Sequence, residues 1–197
     1  MGHLPKKIIF IFSLVLLSCN SDYTVGKKRG YYKIEFPAKA YRKFDQAGYP
    51  YTFEYPVYSN IVKDTTFFES KPENPWWINI DFPQFSARVH VSYKEIGKNK
   101  LDTLVNDAFQ LSYKQHTYKA SAIEDSAFVT PNNIHGVYFT LAGNTATANQ
   151  FFLTDSTKHF LRGALYFSAT PNEDSISVVN DFLKQDLFHL INTLKWR

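Results

Sequence analysis

FSARVHVSYKEIGKNKLDTLVNDAFQLSYKQ, residues 85–115, changes its hydrophobic period once, and that change decides the fold class. Phe85, Ala87, Val89, Val91 and Tyr93 alternate with Ser86, Arg88, His90, Ser92 and Lys94, the period-2 pattern of a strand with one buried face. After Lys98 the apolar positions fall three or four apart, at Leu101, Leu104, Val105, Ala108 and Leu111. This spacing predicts an amphipathic helix over 99–115 whose apolar face lies on a sheet.

The same reading extends in both directions. Upstream, Ile78, Ile80 and Phe82 alternate with Asn79 and Asp81, which predicts an antiparallel neighbour for the 85–94 strand. Tyr51, Phe53 and Tyr55 alternate as well, with Pro56 marking a strand end or edge, and 31–36 reads as extended up to Pro37. Downstream, four strands are predicted at 119–129, 136–142, 146–154 and 159–169. Pro131-Asn132-Asn133, Gly143-Asn144 and Asp155-Ser156-Thr157-Lys158 separate them as turns, giving a meander. Val179, Phe182, Leu183, Leu187, Leu190, Ile191 and Leu194 then return to helical spacing behind Pro171, Asn172, Glu173 and Asp174, which suit a helix start. The expected fold is α+β: a single domain with a mainly antiparallel sheet covered by two amphipathic helices on one or both faces. In element order it resembles the PsbP-like sandwich.

The amino-terminal residues read differently. Lys6 and Lys7 precede an apolar run, Ile8 to Leu17, that is too short for a hydrocarbon core of roughly 30 Å. Leu16-Leu17-Ser18-Cys19 resembles a bacterial lipobox, in which the thiol receives diacylglycerol and the new amino terminus is acylated. The competing reading is a core helix with a buried apolar thiol. The expected organisation is a signal peptide at 1–18, a lipidated tether at 19–28 and the domain at 29–197. Lys27, Lys28 and Arg29 close the tether, either facing anionic lipid or simply solvated.

Composition narrows the functional classes. The chain of 197 residues has a formal charge of +4, and removal of 1–18 takes away Lys6 and Lys7, so nothing points to nucleic acid. With Cys19 the only thiol, no internal disulfide can form, and stability rests on packing of 18 Phe, 13 Tyr and 3 Trp. No cofactor is implied. GxSxG, P-loop, GxGxxG, HExxH and cysteine metal motifs are absent, so no enzyme is expected. Asp155, Ser156 and His159 have the residue types of a hydrolytic triad but occupy a hairpin turn, where Asp and Ser are ordinary. His90, His116, His135, His159 and His189 are scattered, without a pair at metal-ligand spacing on one element, so no metal is expected. Adjacent Trp76 and Trp77 point to opposite sides if extended, leaving one indole either covered by a loop or helix or free for a partner.

Arg29-Gly30-Tyr31-Tyr32-Lys33-Ile34, Tyr51-Thr52-Phe53-Glu54-Tyr55-Pro56, Trp77-Ile78-Asn79-Ile80, Ser92-Tyr93-Lys94-Glu95-Ile96 and the run from Gln150 through Phe167 resemble GldD, the gliding-motility lipoprotein family of the Bacteroidota. The resemblance implies a cell-envelope lipoprotein required for surface gliding and linked to type IX secretion, with Cys19 as the lipid site. It supplies no catalytic residue. Two expectations follow. The first is a non-catalytic component that docks onto other motility or secretion proteins and onto the membrane through its acyl chains, with Arg29, Tyr31, Trp76 and Trp77 as candidate contacts. The second is a ligand-binding or hydrolytic domain with a pocket lined by Tyr138, His159 and Arg162. A periplasm-facing location is expected, because Asn20-Ser21-Asp22-Tyr23-Thr24 lacks the acidic run that resembles a surface-export signal in this phylum. Five Asp-Ser or Asp-Thr pairs, at Asp64, Asp102, Asp125, Asp155 and Asp174, resemble an O-glycosylation tripeptide of that phylum, with Ser156 the best-placed candidate.

Overall fold

The alternation at 85–94 is realised as the third strand of a seven-stranded antiparallel sheet. The computed structural model describes residues 33–65, 71–114, 116–168 and 173–197, of which 173–175 by backbone alone. Residues 35–197 form one compact unit; of the other unit, 1–34, only Lys33 and Ile34 are described, both exposed. Cys19, Arg29 and Tyr31, the signal and tether segments, and the cap at Pro171 and Asn172 lie outside the described residues.

In chain order the elements are β1 (Tyr41–Phe44), β2 (Tyr51–Pro56), β3 (Asn60–Lys63), β4 (Ile78–Phe82), β5 (Ala87–Glu95), α1 (Leu101–Tyr113) and β6 (Ala120–Val129). They continue with β7 (His135–Gly143), β8 (Asn149–Thr154), β9 (His159–Phe167), α2 (Glu173–Thr193) and β10 (Lys195–Trp196). The large sheet has the order β3-β4-β5-β9-β8-β7-β6, and every pairing in it is antiparallel. After β5 the chain crosses through α1 to the far edge, and the meander from β6 walks back strand by strand until β9 pairs with β5. A small sheet, β1-β2-β10, completes the fold. The fold is therefore α+β, mainly antiparallel, with two helices.

Strand alternation puts those helices on opposite faces. Phe139, Leu141, Phe152 and Phe160 pack with Leu104 and Ala108 of α1. Their sequence neighbours Tyr138, Phe151, Leu153 and Leu161 pack with Leu183, Leu187, Leu190 and Ile191 of α2. Each fully buried Leu or Phe contributes about 1.5–3 kcal/mol of apolar transfer.

The differences from the sequence reading are local. Residues 33–36 form no strand, and the first strand is β1, four residues later. Phe85 belongs to a 3₁₀ turn, Pro83–Phe85, that Ser86 closes in the left-handed region (φ 47°), so β5 starts at Ala87. Residues 146–148 are also excluded from β8. The Thr145 hydroxyl donates to the Thr147 carbonyl and the Thr147 hydroxyl to that of Asn149, side-chain bonds that compete with a ladder.

Gly163 in β9 lies opposite Phe151 in β8, and a Cβ there would clash with the edge of the Phe151 ring. Phe151 is wholly buried and its ring fills the space a side chain would need. Gly163→Ala should therefore overpack this layer and lower unfolding free energy by about 1–3 kcal/mol. Urea unfolding monitored by tryptophan fluorescence measures it, and an unchanged midpoint would show that the ring can move aside.

Candidate functional site

The residues singled out for a pocket do not converge. On β9, His159 and Arg162 are separated by an odd number of positions and therefore face opposite sides of the sheet. His159 is buried with Leu161 on the α2 side; its ring stacks on Trp196 at 4.9 Å, and Nδ1 lies 2.7 Å from the Tyr93 hydroxyl. Burial lowers its pKa, against the opposing pull of Asp155. Tyr138 is on that side too, donating to Asn149 Oδ1 at 2.8 Å and stacking on Phe188 at 4.8 Å. Arg162 faces α1. The expected Tyr138, His159 and Arg162 lining is thus corrected: strand parity divides it between two faces.

The triad-like residues at the β8–β9 turn serve the turn. Asp155 Oδ1 accepts the backbone N–H groups of Thr157, Lys158 and His159 at 3.0, 2.8 and 2.8 Å. Burial of the Asp155 carboxyl opposes ionisation, but these three donors prevail and hold its pKa below the usual value. Ser156 has φ 63° and an exposed side chain, accessible to a modifying enzyme but engaged in no relay with His159.

Trp76 and Trp77 both spend their indole N–H groups inside the domain, Trp76 on the Gly48 carbonyl at 2.7 Å and Trp77 on that of Tyr93 at 2.7 Å. Trp77 is buried, and Trp76, half-buried, stands edge-on to Tyr93. Of the two, Trp76 is the more exposed.

What the structure does bring together is a cleft between α1 and the sheet, with a volume of about 360 Å³. Its polar side chains come from neighbouring strands: His90, Ser92 and Lys94 at alternate positions of β5, and Arg162 and Tyr166 of β9. Ser92 pairs with Arg162 in register. The apolar wall is Trp77, Leu104, Ala108, Leu111 and Phe160, and Asp107 of α1 stands at the exposed rim. Arg162 Nη2 donates to Gln150 Oε1, while Nε is buried with no acceptor among the described residues. Burial lowers the Arg162 pKa, and it lowers that of His90, helped there by Arg88. Lys94 sits 3.8 Å from Glu73. Arg162 and the β5 alternation are legible in the sequence but their adjacency is not, since β5 and β9 are joined by no short turn.

A second feature lies at the sheet's edge. β6 is ten residues long, and no described residue pairs with its outer side. Glu124, Asp125, Ser126 and Ala127 are exposed in its middle. The opposite edge, β3, has four residues and ends in Lys63, a short charged edge that resists pairing. No helix among the described residues is long and apolar enough to cross a membrane.

The sequence matches the family described as gliding motility lipoprotein GldD over residues 21–196. Among solved structures, the cyanobacterial PsbP (CyanoP) of Synechocystis sp. PCC 6803 is similar at 10% identity and a TM-score of 0.45, covering 82% of this chain and 95% of that one. A search of curated proteins gave no match.

Proposed function

The chain belongs to the GldD family of gliding motility lipoproteins, and from that premise we propose that it acts as a non-catalytic docking component at the periplasmic face of a membrane. Membership makes it a membrane-anchored envelope protein of gliding motility. The further reading is that its domain holds another protein of the motility apparatus, or of the type IX secretion apparatus linked to it, while acyl chains on Cys19 confine the pair to one surface. Tethering raises the effective concentration of a weak contact, up to the millimolar range for short flexible linkers.

The observation that carries this reading is β6. An edge strand offers a row of backbone donors and acceptors, and proteins commonly shorten, cover or charge such edges to prevent unwanted pairing. Here the long edge is left uncovered among the described residues. An extended segment of a partner can add to it as an extra strand, with main-chain bonds giving affinity and alternate side chains giving specificity. Glu124 favours a partner segment that carries Lys or Arg opposite it, whereas Asp125 already accepts the Tyr113 hydroxyl.

Site-specific photocrosslinking in gliding cells tests this. A photoreactive residue at Ser126 or Ala127 of the full lipidated chain should capture a motility or secretion protein, identified by mass spectrometry, far more efficiently than one at Thr103, which is exposed on α1. Equal capture at all three positions, or capture of the chain by itself alone, would overturn the assignment of β6.

A further inference from the structure

We propose that the cleft beneath α1 binds a small molecule consisting of one carboxylate on an apolar body, and that Arg162 receives the carboxylate. This site lies away from the β6 edge and does not depend on the docking role.

The geometry around Arg162 is costly without an acidic partner. The guanidinium is half-buried, no described carboxylate forms an ion pair with it, and its one hydrogen-bond acceptor among the described residues is the neutral amide oxygen of Gln150. That oxygen already accepts from the Ser112 hydroxyl at 3.2 Å. Arg162 Nε and Gln150 Nε2, two donors in the same layer, are both buried without acceptors among the described residues, and Gln150 is wholly buried. A buried charge lacking a counter-ion is strongly unfavourable unless something compensates it. A carboxylate can accept from a guanidinium through two parallel N–H bonds, a planar match that also fixes its orientation.

Charge and shape narrow the ligand. Around the cleft Arg162 and Lys94 are positive, whereas Asp107 stands at the rim and Glu73 lies 3.8 Å from Lys94. Glu73 matches Lys94 and Asp107 is exposed to solvent, so the Arg162 charge is the one left for a ligand to meet among the described residues, which suits a single negative charge and disfavours a phosphate dianion. His90, which burial disposes toward its neutral form, and the Ser92 hydroxyl offer hydrogen bonds beside the charge. Leu104, Leu111 and Phe160 supply an apolar wall for the remainder of the molecule. The volume of about 360 Å³ falls within the range of small-ligand sites.

The test uses the full lipidated chain in nanodiscs, with thermal unfolding read by tryptophan fluorescence. The probes are 3-phenylpropanoate, its uncharged amide, and inorganic phosphate. Binding to the folded state raises the melting temperature in proportion to the logarithm of ligand concentration over Kd. The carboxylate is expected to raise it at millimolar concentration, with the amide and phosphate having little effect. Arg162→Met should weaken carboxylate binding on the order of tenfold or more, while the unliganded melting temperature stays level or rises because an uncompensated charge has gone. Arg162→Lys keeps the charge without the planar fork and should bind in between. Equal shifts with carboxylate and amide, which need no variant to observe, would overturn the proposal; so would phosphate as the sole stabiliser. Full carboxylate binding by Arg162→Met, or a lowered unliganded melting temperature in that variant, would make Arg162 a structural residue instead.

Discussion

Replacing Asp186 by alanine should destabilise the domain by about 3–5 kcal/mol, the range for breaking a buried charge pair from one side. Asp186 lies on α2 with its side chain 1% exposed. Lys39 Nζ is 2.8 Å from Oδ1, Tyr41 donates to the same oxygen at 3.0 Å, and Tyr58 donates to Oδ2 at 2.7 Å. Lys39 also donates to the Phe182 carbonyl at 2.9 Å and sits 3.3 Å above the Phe182 ring centroid. The carboxylate thus ties the segment preceding β1, β1 itself and the loop after β2 to the last helix.

The ionisation behaviour of its neighbours agrees with this placement. Burial pushes Tyr41 up to about 12 and Tyr58 higher, with Asp186 adding to both. Burial lowers the Lys39 pKa against the pull of Asp186, so loss of the carboxylate removes what opposes that fall. For a domain of this size each kcal/mol corresponds to roughly 2–4 °C, so Asp186→Ala should melt about 6–20 °C earlier. Asp186→Asn, whose single amide oxygen can still accept from one of the two tyrosines, should lose less. Lys39→Met with Asp186→Leu should recover much of the loss, since a buried pair can often be replaced by apolar groups. A change of only a degree or two in Asp186→Ala would show that water replaces the carboxylate without cost.

The sequence pattern conceals this cluster for a physical reason. By spacing Asp186 falls on the apolar face of its helix, three residues after Leu183 and four before Leu190, but a carboxylate there reads as solvated unless a partner is known. Its partners lie more than 120 positions away in sequence, as with Tyr58 and Tyr41. The three strands without a sequence signal are hidden for another reason. Tyr41–Phe44, Asn60–Lys63 and Lys195–Trp196 are short and mixed in polarity, and their strand character comes from pairing with β2 or β4.

By contrast, β4, β5, α1, the meander and α2 carry their own periodicity, and their types follow from it. The cleft lies between these cases. Parity along β9 already separates His159 from Arg162, so that part of the earlier grouping could have been rejected from spacing alone. Register between β5 and β9, which sets Ser92 against Arg162, depends on a crossover through α1 and a four-strand return. Local sequence has no signal for that.

Replacing Cys19 by alanine should abolish acyl labelling, leave the precursor unprocessed and stop gliding, while leaving the domain's unfolding unchanged. Family membership makes the protein a lipoprotein, and the matched residues begin two positions after this cysteine, the only one in the chain. The compact unit of residues 35–197 contains no thiol, so its stability cannot depend on Cys19. Anchoring is expected to depend on it. Acyl chains contribute about 0.8 kcal/mol per buried CH₂, and two or more together hold a protein on a bilayer where one is marginal. The run from Ile8 to Leu17 is ten residues, which as a helix would measure about 15 Å, short of a hydrocarbon core of roughly 30 Å. Metabolic labelling with a fatty-acid analogue, colony spreading and urea unfolding together separate the consequences. Normal labelling of Cys19→Ala would assign the lipid elsewhere, and normal gliding without label would show that the domain reaches its partner without a tether. A shifted unfolding midpoint would tie Cys19 to the fold itself, contrary to a unit that closes without it.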